Sequence, residues 1–95
     1  MKSYIEVKEQ NIILTGVTHS PWGKHKFIVY LDENNSERNR INVRVSTDYY
    51  EVKKGVYECC IYYDRGLCNT IDEFRNITIG EIERQAYGSY MDGAR

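Results

Sequence analysis

Neither sign of charge is in excess in this sequence: 13 Lys and Arg stand against 14 Asp and Glu, for a formal net charge of -1. That balance excludes a strongly basic nucleic-acid glue and equally a heavily acidic DNA mimic. No apolar run approaches the roughly 20 residues that a membrane helix needs. Charges also interrupt the opening Met1-Lys2-Ser3-Tyr4-Ile5-Glu6-Val7-Lys8-Glu9 too often for the apolar core of a signal peptide. The expectation is a soluble cytoplasmic protein with no membrane partner. Cysteine is sparse and odd in number, with Cys59 and Cys60 adjacent and Cys68 alone. Adjacent strand residues point to opposite faces, so these three read as reduced thiols rather than a disulfide framework.

Several kinds of chemistry lack their residues. Neither G-x-x-x-x-G-K-[ST] nor G-x-G-x-x-G occurs, so no phosphate-cradling loop is expected. Metal ligands would have to come from His19, His25, Cys59, Cys60 and Cys68, which do not form the close pairs of a structural zinc site. Asp32, Asn34, Asn35 and Glu37 start like a calcium loop but miss its glycine and its terminal glutamate. Cys68, three residues after Arg65, is a nucleophile whose pKa that cation could lower, and it reads more simply as a small apolar loop residue. The expectation is no enzyme, no metal and no cofactor.

What the sequence does contain is alternation. In Lys26–Asp32, Phe27, Val29 and Leu31 share one side, while Lys26, Tyr30 and Asp32 take the other, with Ile28 among them. In Arg40–Thr47, Ile41, Val43 and Val45 face one way and Arg40, Asn42, Arg44 and Ser46 the other. A period of two with β-branched residues on one side marks a half-buried strand. The polar stretch Glu33–Asn39 between them reads as the long tip of an antiparallel hairpin. Tyr4–Val7 and Ile12–Val17 read as two earlier strands, followed by a turn at Ser20-Pro21-Trp22-Gly23. Tyr49–Val52 and Val56–Tyr63 flank Lys53-Lys54-Gly55, where Gly55 supplies the positive φ of a short loop.

The period then changes. Thr78-Ile79-Gly80-Glu81 fits a capping box, and Ile77 with Ile82 fits the hydrophobic staple, so two signals place one helix start. Ile79, Ile82, Ala86 and Tyr90 follow as an apolar stripe, and Gly93 marks the end. Thr70-Ile71-Asp72-Glu73 is a second, weaker box. The 95 residues are read as a single α+β domain spanning 1–95, with a sheet region at 3–63 and a helical segment at 70–92. The expected architecture is one twisted antiparallel sheet of about five strands, with the C-terminal helix packed on one face and solvent on the other.

Nine Tyr against two Phe and one Trp is the compositional anomaly. Tyr offers a large ring at low entropic cost with a polar tip, which makes it a favoured interface anchor. The leading expectation is a non-enzymatic protein-binding domain that occupies a surface of a larger protein or ribonucleoprotein. Its contact residues are Trp22, Tyr30, Tyr49, Tyr50, Tyr62 and Tyr63, with Arg38, Arg40 and Arg44 near the hairpin tip. Trp22 also reads as a cap on the end of the sheet. In size and composition the chain is similar to small accessory proteins of phages and mobile elements, including inhibitors of host defence nucleases and CRISPR effectors. The alternative is a nucleic-acid binder that uses Lys26, Tyr30, Arg40 and Arg44 on the open sheet face, with Tyr30 stacking a base.

Overall fold

A computed structural model describes residues 3–33 and 42–93. The chain forms seven strands, β1 (Tyr4–Lys8), β2 (Ile12–Ser20), β3 (Gly23–Leu31), β4 (Val43–Thr47), β5 (Tyr50–Lys53), β6 (Val56–Cys60) and β7 (Asp64–Cys68). Two helices follow, α1 (Ile71–Phe74) and α2 (Ile79–Gly93). The α+β class is as expected, but there are two antiparallel sheets where the alternation led to one. One sheet has the order β1-β6-β5 and the other β2-β3-β4-β7. Arg38, Arg40 and Ile41 lie outside the described residues.

The larger sheet is the middle layer. One face receives α2: Phe27, Val29, Val43 and Val45 bury with Ile82 and Ala86, as the alternation and the helix stripe required. The opposite face, expected to meet solvent, is covered by the smaller sheet. There Ile28 and Tyr30 of β3 bury with Val7 of β1 and Cys59 of β6. The physical reason is visible in β3 itself. Phe27 to Leu31 is an unbroken apolar run, the mark of a strand buried on both faces rather than one. Phe27, Ile28, Val29 and Tyr30 are all buried.

The chain passes between the sheets at three short connections. A single 3₁₀ turn, Glu9–Asn11, links β1 to β2, and another, Ile61–Tyr63, links β6 to β7. Between β4 and β5 the chain turns at Asp48, whose φ of 57° lies in the left-handed region that Asp tolerates better than most residues. The segment after Tyr63, expected as loop, is thus the edge strand β7, paired to β4. Gly55 has φ 79° in the β5–β6 turn, as that hairpin demands.

Helix α2 starts where its cap signals place it, with Thr78 Oγ1 accepting from the Glu81 N–H at 3.2 Å. Its buried residues are Ile82, Ala86 and Ser89. Ile79, expected in the inward stripe, is 73% exposed instead. Thr70 caps α1, its hydroxyl accepting from the Glu73 N–H at 3.1 Å.

One close approach shapes the edge of the larger sheet. Gly16 on β2 lies opposite Phe27, and a Cβ at Gly16 would sit 2.5 Å from Phe27 Cζ. The ring is buried and packed under α2, so shifting it disturbs the side chains it packs with. Gly16→Ala is therefore expected to lower stability by roughly 1–3 kcal/mol through overpacking. A thermal melt checks this, and an unchanged midpoint would mean the ring can move aside.

Candidate functional site

The expected contact residues separate into three places. Tyr30 is inside the protein, 2% exposed. Its hydroxyl donates to Asp64 Oδ1 at 2.6 Å, and Arg44 Nε donates to Asp64 Oδ2, also at 2.6 Å. The Asp64 side chain is 4% exposed and that of Arg44 21%. Tyr30 cannot stack a base from there, and Arg44 is turned towards Asp64, so the two do not stand on an open face. Burial pushes the Asp64 carboxyl above its usual range, outweighing the Tyr30 and Arg44 hydrogen bonds that pull it down. The same burial, with Asp64 beside it, raises Tyr30 so far that the phenol stays protonated. The array lets the smaller sheet close over polar residues by satisfying them.

Tyr49 and Tyr50 belong to the smaller sheet. Tyr49 meets Tyr57 edge-on at 5.8 Å between centroids and packs against the core between the sheets. Tyr50 is 46% exposed, meets Tyr4 edge-on at 6.5 Å, and donates to Glu58 Oε1 at 2.9 Å.

The third group gathers at the turn between β2 and β3. Trp22 occupies this two-residue turn with Pro21 and is 67% exposed, so it is a presented ring and not a buried cap. Beneath it stands a stack. The His25 and Tyr90 rings lie 3.6 Å apart at 23°, Tyr63 stacks on Tyr90 at 5.8 Å and 18°, and Trp22 tilts against Tyr90 at 6.4 Å. Tyr62, next to Tyr63, is 69% exposed. Tyr63 is also tied to α2, because the Ser89 hydroxyl donates to its carbonyl.

Hydrogen bonds fix the turn from below. Ser20 Oγ and His25 Nε2 share a bond of 2.7 Å, the Trp22 N–H donates to Ser20 Oγ at 3.1 Å, and His25 Nδ1 lies 3.6 Å from Asp48 Oδ1. Hydroxyl, imidazole and carboxylate in this order can activate a serine, the imidazole taking its proton while separate N–H donors hold the oxyanion of a reacting carbonyl. Here the Trp22 N–H is aimed at the serine oxygen itself. These bonds hold the turn that carries Trp22.

No protein family, curated protein or solved structure matches this chain.

The remaining sequence candidates fall outside this cluster. Burial pushes the Cys59 thiol up to about 12. Cys68 is raised as well, by burial and then by Glu73, which is opposite to the shift that activates a nucleophilic thiol. Among the described residues no group of His, Cys, Asp and Glu is placed to hold a metal ion. None of the described helices is long and apolar enough to cross a membrane. Sequence reasoning named Trp22, Tyr62 and Tyr63 but missed His25, Ser20 and Asp48 as their support, and read Tyr90 only as part of the helix stripe. For His25 a signal existed: the period of two that buries Phe27 and Val29 also turns His25 inward.

Proposed function

We propose that this chain is a non-enzymatic binding module that occupies a surface of a larger protein, with Trp22 at the centre of the contact. The observation that carries this reading is the exposed Trp22 ring on an ordered stack of Tyr90, Tyr63 and His25. Large aromatic rings dominate binding hot spots, and a ring already held in place loses little entropy on docking. Tyr62, exposed and next to Tyr63 in the sequence, is a second candidate contact. Its mode of action is occlusion of the partner's working surface, such as that of a defence nuclease. A nucleic-acid partner ranks second, because Tyr30 and Arg44 are engaged with Asp64 and Lys26 alone of its described residues stays exposed.

The test is capture from an extract of the native host with the chain and with Trp22→Ala as bait, followed by mass spectrometry. A protein retained by the chain at low and high salt, and depleted at least ~10-fold by Trp22→Ala, is the expected result. The variant should melt as the parent does. Capture that vanishes with salt or nuclease treatment would favour nucleic acid. Equal capture by Trp22→Ala would overturn the reading.

A further inference from the structure

The two sheets have four outer strands, β1, β5, β7 and β2. An unpaired edge is a template for another strand, and proteins usually guard it with charge, proline or a cover. Three of these edges carry such charge: Glu6 and Lys8 on β1, Glu51 and Lys53 on β5, and Arg65 on β7. The fourth, β2, reads Ile-Ile-Leu-Thr-Gly-Val-Thr-His-Ser and has neither an acidic residue, a lysine, an arginine nor a proline. With nine residues it matches β3 as the longest strand, and among the described residues it pairs with β3 alone.

The two faces beside this edge differ in chemistry. On the α2 side an apolar groove of about 260 Å³ runs between β2 and the start of α2, lined by β2 from Leu14 to Val17 and by Phe27, Ile79 and Ile82, with Glu83 also at its wall. Ile79, whose exposure the helix stripe did not anticipate, stands there 73% exposed. On the opposite side, beyond the cover of the smaller sheet, Val17 pairs with Lys26 and His19 with Lys24, and all four are exposed. From Gln10 to Leu31 the sequence contains Lys24 and Lys26 but no acidic residue.

We propose that the free edge of β2 receives, as a fifth strand of the larger sheet, an extended segment of the partner protein whose side chains alternate between apolar and acidic. This rests on the protein-binding reading above and names what that partner presents. Main-chain hydrogen bonds along β2 hold the segment, and alternation sorts its side chains. One set enters the groove, where apolar residues match Ile79 and Leu14 and Glu83 disfavours acids. The other set faces Lys24 and Lys26, which lie two strands away at roughly 10 Å between backbones, a gap that Glu and Lys side chains can span together. A second copy of this chain fits the edge less well, because pairing two β2 edges would set two basic faces side by side.

The probes are capped nonapeptides, one alternating valine with glutamate, one alternating valine with lysine, titrated calorimetrically against the full chain. The valine–glutamate peptide is expected to bind at least ten-fold more tightly, with amide shifts concentrated over Ile12–Ser20. Methylating every second backbone nitrogen of that peptide, in the phase that faces β2, should abolish binding. Lys24→Glu/Lys26→Glu changes exposed side chains only and should reverse the preference between the two peptides. Equal affinity for both peptides, no binding of either, indifference to backbone methylation, or a stable dimer through β2 would each overturn the proposal. Val17→Glu puts charge on the edge beside Lys26 and should lose both the peptide and the captured partner while melting normally. If Val17→Glu keeps the partner that Trp22→Ala loses, strand addition fails and the binding reading stands. If Trp22→Ala keeps it, the binding reading itself has failed.

Discussion

Arg44→Ala is expected to cost about 3 kcal/mol near neutral pH, because it leaves the buried Asp64 carboxylate without its cation. Among the described residues Asp64 would keep only the Tyr30 hydroxyl at 2.6 Å as a side-chain donor. The side chain of Arg44 is 21% exposed, so water can replace part of what is lost, which sets the value at the low end for a broken buried pair. The loss should depend on pH with a definite sign. Burial already raises the Asp64 carboxyl in the folded chain, so the folded state keeps a proton that the unfolded state has released. Stability then falls as pH rises from the ordinary carboxylate value, about 4, through the folded one. Without Arg44 the carboxyl rises further, and the gap between variant and parent should be widest near pH 7 and shrink towards about pH 4. Asp64→Asn added to Arg44→Ala should recover part of the loss, since no charge remains buried. Melts of the three proteins at both pH values check this. A gap that does not change with pH would mean that losing Arg44 leaves the protonation of Asp64 unaltered across this range.

Ile82→Ala is expected to remove roughly 2–5 kcal/mol, a large share of the stability of a domain this size. Ile82 is 3% exposed and joins the cluster formed with Phe27, Val29, Val43, Val45 and Ala86. The spread reflects how far the cavity can collapse. The groove beside it, open towards Gly16 and Ile79, gives α2 some room to settle, which favours the lower half of the range. Urea titration reads the change directly. A midpoint unchanged from the parent would show that α2 is not docked through this residue, and that its stripe is a recognition surface.

The α2 face of this fold was legible because every signal for it is local. Alternation set Phe27, Val29, Val43 and Val45 on one side, and the Thr78 cap fixed the phase of the helix that covers them. The other face was misread for a physical reason. Alternation tells which way side chains point but not what lies over them. Tyr30 and Arg44 look like a solvated face until Asp64, 34 and 20 residues away, accepts a hydrogen bond from each of them inside. Ile28 among the polar residues, within the apolar run of β3, was the sign that the face is covered. The candidate site divides in the same way. Trp22 in a Pro-containing turn is conspicuous in sequence, whereas its seat on Tyr90 and Tyr63 joins residues that only the folded chain brings together.

The pairing of β1 with β6 has a consequence for how the protein comes to be folded. Tyr4 meets Cys60, and Lys8 meets Val56. β1 therefore has no sheet partner until β6 has been made. The β2–β3 hairpin, closed by a two-residue turn, can form early, since hairpins close in about 1–10 μs. Until β6 arrives, that hairpin shows Ile28 and Tyr30 to water, and Ile5 and Val7 wait unpaired. Such dependence on distant pairing places the chain among the slower folders of its size, in the range of milliseconds to seconds. A nascent chain stalled before Val56 would expose two unfinished sheets at once, the state in which a protein of this design is most open to aggregation.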